Sequence, residues 1–397
     1  MRALICGAGI AGLSTAWWLD HIGWDVVIVE QAPRLREEGY MIDFWDAGYD
    51  AAERMGLLPR LHDVAYDVDR VSYVDVAGHE VSHIDYDLFA RMQHGRLLTL
   101  MRGDLEHALR DALGDRVDLR FGRSIAQIDG DDAAAVATLT DGGTERVDLL
   151  VGADGVHSRV RAMVFGPEQH HLHDLGFHTA AYVVADAELS AGLDGRFAMH
   201  SVPDRVVGCY PIRGGHVAAF YAFRAPRPQL PADPRSTLRT VYADVGWVAP
   251  ELLRRCPAPP RLYYDQVAQV EMPRWHDGRV VLVGDACQAV SLLAGQGASM
   301  AVAGAHALAI ELAAWADVPA ALDAYERRVS PAIAKKQAAG RRTAGWFVPG
   351  SPLRIRLRDT VLRLSTLRPL EWLVRPVLTT PRGDVVDDAG ARRSVRT

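Results

Sequence analysis

Ala3-Leu4-Ile5-Cys6-Gly7-Ala8-Gly9-Ile10-Ala11-Gly12 is the stretch whose reading decides the fold. Four apolar residues run into a G-x-G-x-x-G turn, and Leu13 to Leu19 continues as helix. A second apolar run, Val26 to Val29, ends in Glu30, eighteen residues past Gly12. Gly7 permits the tight turn, and Gly9 lets the backbone approach a pyrophosphate with no Cβ in the way. Gly12 lets helix and strand pack closely. The helix N-terminus offers free N–H groups and partial positive charge to phosphates. A carboxylate at Glu30 accepts hydrogen bonds from ribose hydroxyls. Strand, turn, helix, strand and acid in this order predict a nucleotide-binding βαβ unit.

The 397 residues suit one large domain or two to three smaller ones, and 49% apolar with 24% charged residues is ordinary for a globular enzyme. A net charge of −6 gives no reason to expect nucleic-acid binding. The charge is uneven: residues 331–397 hold fourteen Lys and Arg against five Asp and Glu, so this end carries +9 and the rest −15. Such a basic end is expected to dock on the acidic body. Cys6, Cys209, Cys256 and Cys287 form no C-x-x-C, so neither disulfides nor a zinc site are expected and a reducing cytoplasm fits. Arg2 before an apolar run imitates a signal peptide, but the glycine turn needs those residues as a strand. Residues 293–316 are long enough to span a membrane, yet Gln296, His306 and Glu311 favour a buried helix.

Further along, Tyr40 to Phe44 reads as a strand and Asp50 to Met55 as a helix closed by Gly56. Residues 70–76 and 80–86 alternate around Ala77-Gly78-His79 as a hairpin. Leu97 to Met101 is a strand, and the apolar spacing from Gly103 to Leu113 is helical. Strands are expected near 117–121, 124–128, 134–140 and 147–151. From 176 to 224 strand follows strand, with turns at Pro203-Asp204 and Gly214-Gly215. A helix near 235–246 and a strand near 261–271 complete that block. Arg279 to Val283 is again a buried strand, and helices follow from about 296 and over 318–344. Residues 353–368 form a basic amphipathic stretch with Leu357, Val361 and Leu364 on one face, expected to dock on the body rather than lie on a membrane.

Two further motifs carry chemistry. Val151-Gly152-Ala153-Asp154-Gly155-Val156-His157-Ser158 follows a strand and enters a helix. Gly278 to Ala286 (G-R-V-V-L-V-G-D-A) follows another strand, and Gly295-Gln296-Gly297 opens the next helix. A carboxylate past a strand is a natural acceptor for sugar hydroxyls, and a helix N-terminus favours developing negative charge. Read singly, Asp154 is a turn residue and Asp285 a helix N-cap. Taken together, the three motifs resemble the single-component (class A) FAD monooxygenases of the para-hydroxybenzoate hydroxylase superfamily, over roughly residues 1–345. Gly39 to Phe44 is also similar to a segment of the tetracycline-inactivating branch, a short match that does not imply tetracycline.

The resemblance implies that Gly7, Gly9, Ala11, Gly12 and Glu30 hold the ADP half of FAD, with Asp154 near the pyrophosphate. It implies FAD contacts from Arg36 and Arg102, ribityl contacts from Gly284 and Asp285, and a place beside the flavin N1/C2=O for Gly295, Gln296 and Gly297. There are departures: Cys287-Gln288 replaces the usual Ala-His, Leu292-Leu293-Ala294 replaces a proline-containing run, and Ser299 and Gly304 replace Asn and Asp. They are expected to alter the flavin's substrate-facing side.

The expected fold is α/β. A Rossmann-like, discontinuous FAD-binding domain (1–70, 96–170 and 275–345) carries an inserted β-sheet substrate domain (71–95 and 171–274). A C-terminal helical region (346–380) and a disordered tail (381–397) follow. Candidate substrate walls are Asp43, Trp45, Met199, Tyr210, Tyr221 and Phe223, although strand alternation sends only half of any strand to a pocket. The implied reaction uses NAD(P)H to reduce FAD. The reduced flavin and O2 form a C4a-hydroperoxide that hydroxylates or epoxidises an aromatic or polycyclic small molecule. The flavin carries this chemistry, so no catalytic side chain is assigned. Alternatives are an FAD-linked reductase of the geranylgeranyl reductase type and a non-redox flavoprotein that binds or cyclises its ligand. His170, His171, His173 and His178 cluster in sequence, but only Asp174 joins them at ligand spacing and no metal is expected. Neither halogenase nor Baeyer–Villiger motifs occur, nor a second G-x-G-x-x-G unit. Monomer and dimer both remain open.

Overall fold

The computed structural model describes residues 1–35, 39–365 and 385. Its first sheet has six strands in the order His276–Asp277, Val280–Leu282, Leu149–Gly152, Arg2–Cys6, Asp25–Glu30 and Asp118–Phe121. All neighbours pair in parallel except the first two. Ala3, Leu4, Ile5 and Cys6 are all buried, as a central parallel strand covered on both faces requires. Helix Ile10–His21 leaves the end of that strand, and helix Gly297–Ala314 packs against it. The latter is apolar enough to cross a bilayer, but 72% of it is buried inside the protein.

The second sheet has seven strands: Tyr263–Val270, Leu172–Ala185, His216–Arg224, Arg205–Ile212, Phe197–Val202, Arg70–Val74 and Glu80–Asp85. Only Phe197–Val202 and Arg70–Val74 pair in parallel. The hairpin at residues 70–85 thus adds an edge to a sheet whose other strands come about a hundred residues later. Two smaller sheets, Met41–Trp45 with Leu97–Met101 and a three-stranded unit at 125–147, complete the β structure.

Four short helices went unpredicted: Leu58–Val64, Tyr86–Met92, Ala187–Leu193 and Ala249–Arg254. Each has only six or seven residues, too few for a hydrophobic period to show.

Helix Pro352–Ser365 docks on the seven-stranded sheet, but not on the expected face. Leu357 is 59% and Leu364 41% exposed, while Arg358, Asp359, Leu362 and Ser365 are buried. Arg358 turns the helix: its guanidinium lies 3.8 Å from the Tyr73 ring centroid and binds Asp359 Oδ1 and Ser201 Oγ. A buried cation with an aromatic face and a carboxylate outweighs a leucine stripe. The tail expected at 381–397 and the helical assignment at 366–380 lie outside the described residues, except for buried Val385.

Candidate active site

Three cavities follow one another, linked by shared lining residues. The first, about 240 Å³, is lined by Gly7, Ala8, Gly9, Glu30, Arg102 and Asp154 among others. Gly7 sits at φ +107°, a conformation that suits only glycine, and a Cβ there would lie 2.5 Å from the Ala153 carbonyl oxygen. A Cβ on Gly12 would lie 1.9 Å from the Gly7 carbonyl oxygen, so strand and helix touch there. Gly9 is different: its nearest neighbours would be Glu106 and Arg102 side-chain atoms at 3.6 and 3.7 Å, which leaves the space above it open. Helix Ile10–His21 has no side-chain cap, so its first N–H groups are available to an anion.

Glu30 accepts from Ala8 N and Ala32 N at 2.8 Å, one on each oxygen. Each oxygen keeps a lone pair for a ribose hydroxyl. The cradle therefore fits the ADP half of FAD. Asp154 lines this cavity, but its carboxylate accepts from Ser158 Oγ, Arg159 N and Val160 N. These bonds secure the turn and the start of helix Arg159–Phe165.

The second cavity, about 150 Å³, continues from the first through Gly9, Arg102, Ala153 and Gly155. Arg102 lines both and pairs with Glu106 at 2.8 Å. Ala11, Asp285, Gly295 and Gly297 also line the second. The Asp285 side chain is open to the cavity while protein encloses it, and no described residue donates a hydrogen bond to it. Burial raises its pKa and nearby Arg102 lowers it. An acceptor without a partner, aimed into a cavity, fits a ribityl hydroxyl. Gly284 works through packing: a Cβ there would lie 2.4 Å from the Ala11 Cβ. Arg36 lies outside the described residues.

His157 joins the sheets beside these two cavities. Its Nε2 meets Asp265 on strand Tyr263–Val270 and its Nδ1 meets Glu168, both at 3.1 Å. The hydrogen bond with Asp265, with help from Glu168, raises its pKa to about 9.

The third cavity, about 290 Å³, shares Tyr40, Ile42, Leu292 and Gly295 with the second. Asp43, Trp45, Met199, Tyr210 and Gln296 line it. Tyr221 and Phe223 do not. They point to the opposite face of strand His216–Arg224, into a core with Tyr182 and Tyr242, and the Tyr221 hydroxyl lies 2.8 Å from that of Tyr182. Alternation decides this: Phe220, between Ala219 and Tyr221, supplies the wall instead.

Tyr73, Tyr86, Phe89, Trp346 and Phe347 complete an aromatic chamber that the sequence did not reveal. Tyr86 and Phe89 belong to helix Tyr86–Met92, of which only Tyr86 fell within an expected strand. Lys336 was also missed. It follows Val329 and Ile333 on the buried stripe of helix Val318–Phe347, and that spacing was its one signal. Its Nζ donates to Asp46 Oδ2 at 2.9 Å and Gln296 Oε1 at 2.6 Å. Asp46 holds φ +57° there, at the N-cap of helix Ala47–Arg54.

The chamber has two polar corners, the Lys336–Gln296 pair and Asp43. Asp43 Oδ1 accepts from Tyr86 Oη at 2.7 Å and Thr99 Oγ1 at 3.0 Å, leaving Oδ2 with no donor among the described residues. Burial raises the Asp43 pKa against these two bonds.

The sequence departures fall in two places. Cys287 and Gln288 are buried away from the cavities, and Gln288 Nε2 donates to the Tyr325 hydroxyl. A Cβ on Gly304 would lie 2.9 Å from Gln288 Oε1, so these two departures are one repacked contact behind the site. Leu292 and Leu293 reach the chamber. The four histidines find separate surroundings: His171 meets the Phe165 carbonyl and His178 the Tyr264 hydroxyl. Among the described residues no group of three or more His, Cys, Asp or Glu could hold a metal ion.

Residues 1–338 match the family described as FAD binding domain. An uncharacterised protein of Mycobacterium tuberculosis is 35% identical over 325 residues, 79% of this chain and 85% of that protein. A flavin-dependent monooxygenase from an unknown prokaryotic organism is 30% identical over 357 residues, 89% of this chain and 91% of that protein. The crystal structure of the tetracycline destructase Tet(55) matches with a TM-score of 0.80 and 27% identity, over 96% of this chain and 97% of that one. These relatives favour oxygen transfer over the reductase and non-redox alternatives. The chain belongs to the FAD binding domain family and is an FAD-dependent monooxygenase.

Proposed function

We propose that the aromatic chamber binds an aromatic or polycyclic small molecule carrying a hydrogen-bond donor, and that the enzyme inserts one oxygen atom from O2 into it. Asp43 carries this reading: an acceptor oxygen without a partner among the described residues, in a mostly apolar chamber, suits a phenol or enol hydroxyl. Bound FAD, reduced by NAD(P)H, supplies the redox chemistry.

The chain's own residues bind, orient and exclude water. Glu30, the Gly7–Gly12 turn and Asp285 would hold the cofactor, and Arg102 lines both of its cavities. Gly295 and Gly297 line the second cavity at a helix N-terminus, which would favour negative charge on a reduced flavin held there. Phe220, Trp346 and Phe347 keep the chamber dry and Asp43 fixes the substrate's hydroxyl. The proposed boundaries are residues 1–70, 96–170 and 275–345 for the cofactor part, and 71–95 and 171–274 for the substrate part. The four cysteines are buried and unpaired, which supports a cytoplasmic location.

Screening phenols and polycyclic aromatics for accelerated NADPH oxidation tests the reading, with Asp43→Ala as the decisive variant. A substrate whose KM rises about ten-fold or more in Asp43→Ala, with FAD content kept, supports it. An unchanged KM for every phenolic substrate contradicts the assigned corner.

A further inference from the structure

Of the 44 Lys and Arg in the chain only Lys335 and Lys336 are lysines, so arginine is its ordinary cation. Lys335 is exposed, as a solvated charge should be, while Lys336 is 3% exposed and lines the aromatic chamber. Ala339 and Gly340, three and four residues on, line it too, so helix Val318–Phe347 turns this face to the chamber. Burying an ammonium is costly even when it is paired, and an apolar replacement of such a pair is often neutral or stabilising. Stability alone therefore gives no reason for a lysine here.

An ammonium has three N–H donors and no acceptor. Two of them reach Asp46 Oδ2 at 2.9 Å and Gln296 Oε1 at 2.6 Å, and the third has no acceptor among the described residues. The Trp45 ring centroid lies 5.7 Å from Nζ, at the outer reach of a cation–π contact, and Trp45 is itself a chamber wall. Lys336 thus brings an unfilled donor to the chamber that receives the unfilled acceptor of Asp43. Asp43 and Trp45 share a face of strand Met41–Trp45, about 7 Å apart along it. Burial and the bonds from Tyr86 and Thr99 account for the Asp43 pKa, with no part played by Lys336. The two corners are separate and address two groups of one ligand. Asp46 already neutralises the ammonium, which favours a neutral acceptor, since a carboxylate would set a second negative charge against Asp46.

We propose that Lys336 determines specificity by donating to a carbonyl oxygen of the substrate, so that the substrates are hydroxylated aromatic ketones or quinones, with the hydroxyl on Asp43 and the carbonyl on Lys336. The inference rests on the reading of the chamber as the substrate site. It adds the second anchor that holds a flat polycycle in one orientation instead of letting it turn about a single hydrogen bond.

The test titrates the oxidised, FAD-loaded enzyme with hydroxyaryl ketones and hydroxyquinones, each paired with its carbonyl-free counterpart, such as hydroxyacetonaphthone with ethylnaphthol. Calorimetry reads Kd without turnover. The parent is expected to bind at least one carbonyl member about ten-fold more tightly than its counterpart. Lys336→Met should abolish that preference and leave the counterpart's Kd alone, while Lys335→Met on the exposed neighbour should match the parent. Lys336→Met strands the buried Asp46 carboxylate, so the double variant Asp46→Asn/Lys336→Met replaces it if the single one loses FAD. No preference for any carbonyl member in the parent overturns the proposal. Equal weakening of both members in Lys336→Met also overturns it, and leaves Lys336 only as a support for Gln296. An unchanged Kd of the carbonyl-free member in Asp43→Ala strikes the hydroxyl corner instead, while the parent's carbonyl preference still decides Lys336. Binding of no pair by the parent overturns both.

Discussion

The cofactor cradle and the substrate chamber are built on different principles. The cradle is mostly backbone: a turn that only glycine permits, a helix start, and carboxylates at strand ends. The chamber is mostly side chain, assembled from two sheets and from helices at residues 86–92 and 318–347. Backbone shape is set by a few neighbouring residues. A chamber wall depends on the register of strands far apart in the chain. One region can therefore keep its cofactor while the other changes its ligand.

Glycine substitutions should show the largest effects and divide the cradle itself. Gly12→Ala drives a Cβ to 1.9 Å from the Gly7 carbonyl oxygen, so the unit must open. A loss of about 3 kcal/mol in stability, together with loss of FAD, is expected from thermal melts. Gly9→Ala meets nothing closer than 3.6 Å, so melting of the apoprotein should hardly change. Its FAD content should still fall, because the new methyl group occupies the approach to the pyrophosphate. Equal destabilisation by both would break the distinction between a packing glycine and a binding glycine.

Neighbouring residues on strand His216–Arg224 sharpen the comparison next. Phe220→Ala removes a chamber wall and should raise substrate KM about ten-fold with FAD retained. Tyr221→Phe, one residue on, removes a hydroxyl that bonds Tyr182 on the far face. It should cost about 1 kcal/mol of stability and leave substrate KM alone. A KM change in Tyr221→Phe would mean that the strand register is misassigned.

The smallest effect concerns His157, the clasp between the two regions. Its folded-state pKa, about 9, lies above the ordinary 6.5. The stability it contributes is therefore complete below about 6.5 and is lost as pH rises through about 9. The imidazole is 41% exposed, so solvent screening keeps the contribution small. The parent's melting temperature should fall slightly more than that of His157→Gln between pH 7 and 10. Parallel curves would remove the clasp from the account.

Much of the cradle was legible because glycine spacing and strand-end acids are local signals. Asp285 and Gly295 stand at the cavity where the third motif put them. Asp154 also stands at the first cavity, where its carboxylate accepts from helix N–H groups as well. The chamber was half legible. Asp43, Trp45, Met199 and Tyr210 were found, while Tyr221 and Phe223 were placed on the wrong face. Strand His216–Arg224 is buried on both sides, so no polar–apolar alternation marks its inward face. Trp346 and Phe347 stayed hidden because their helix runs three residues beyond its expected end.

The most direct test of the account is an oxygen-electrode assay on the purified, FAD-loaded protein, with NADPH and one candidate phenol or polycycle added at a time. The account predicts that a compound held by Asp43 accelerates NADPH and O2 consumption together and gains one oxygen atom by mass. Bleaching of the flavin by NADPH with no compound ever oxygenated, or no bleaching at all, would contradict it.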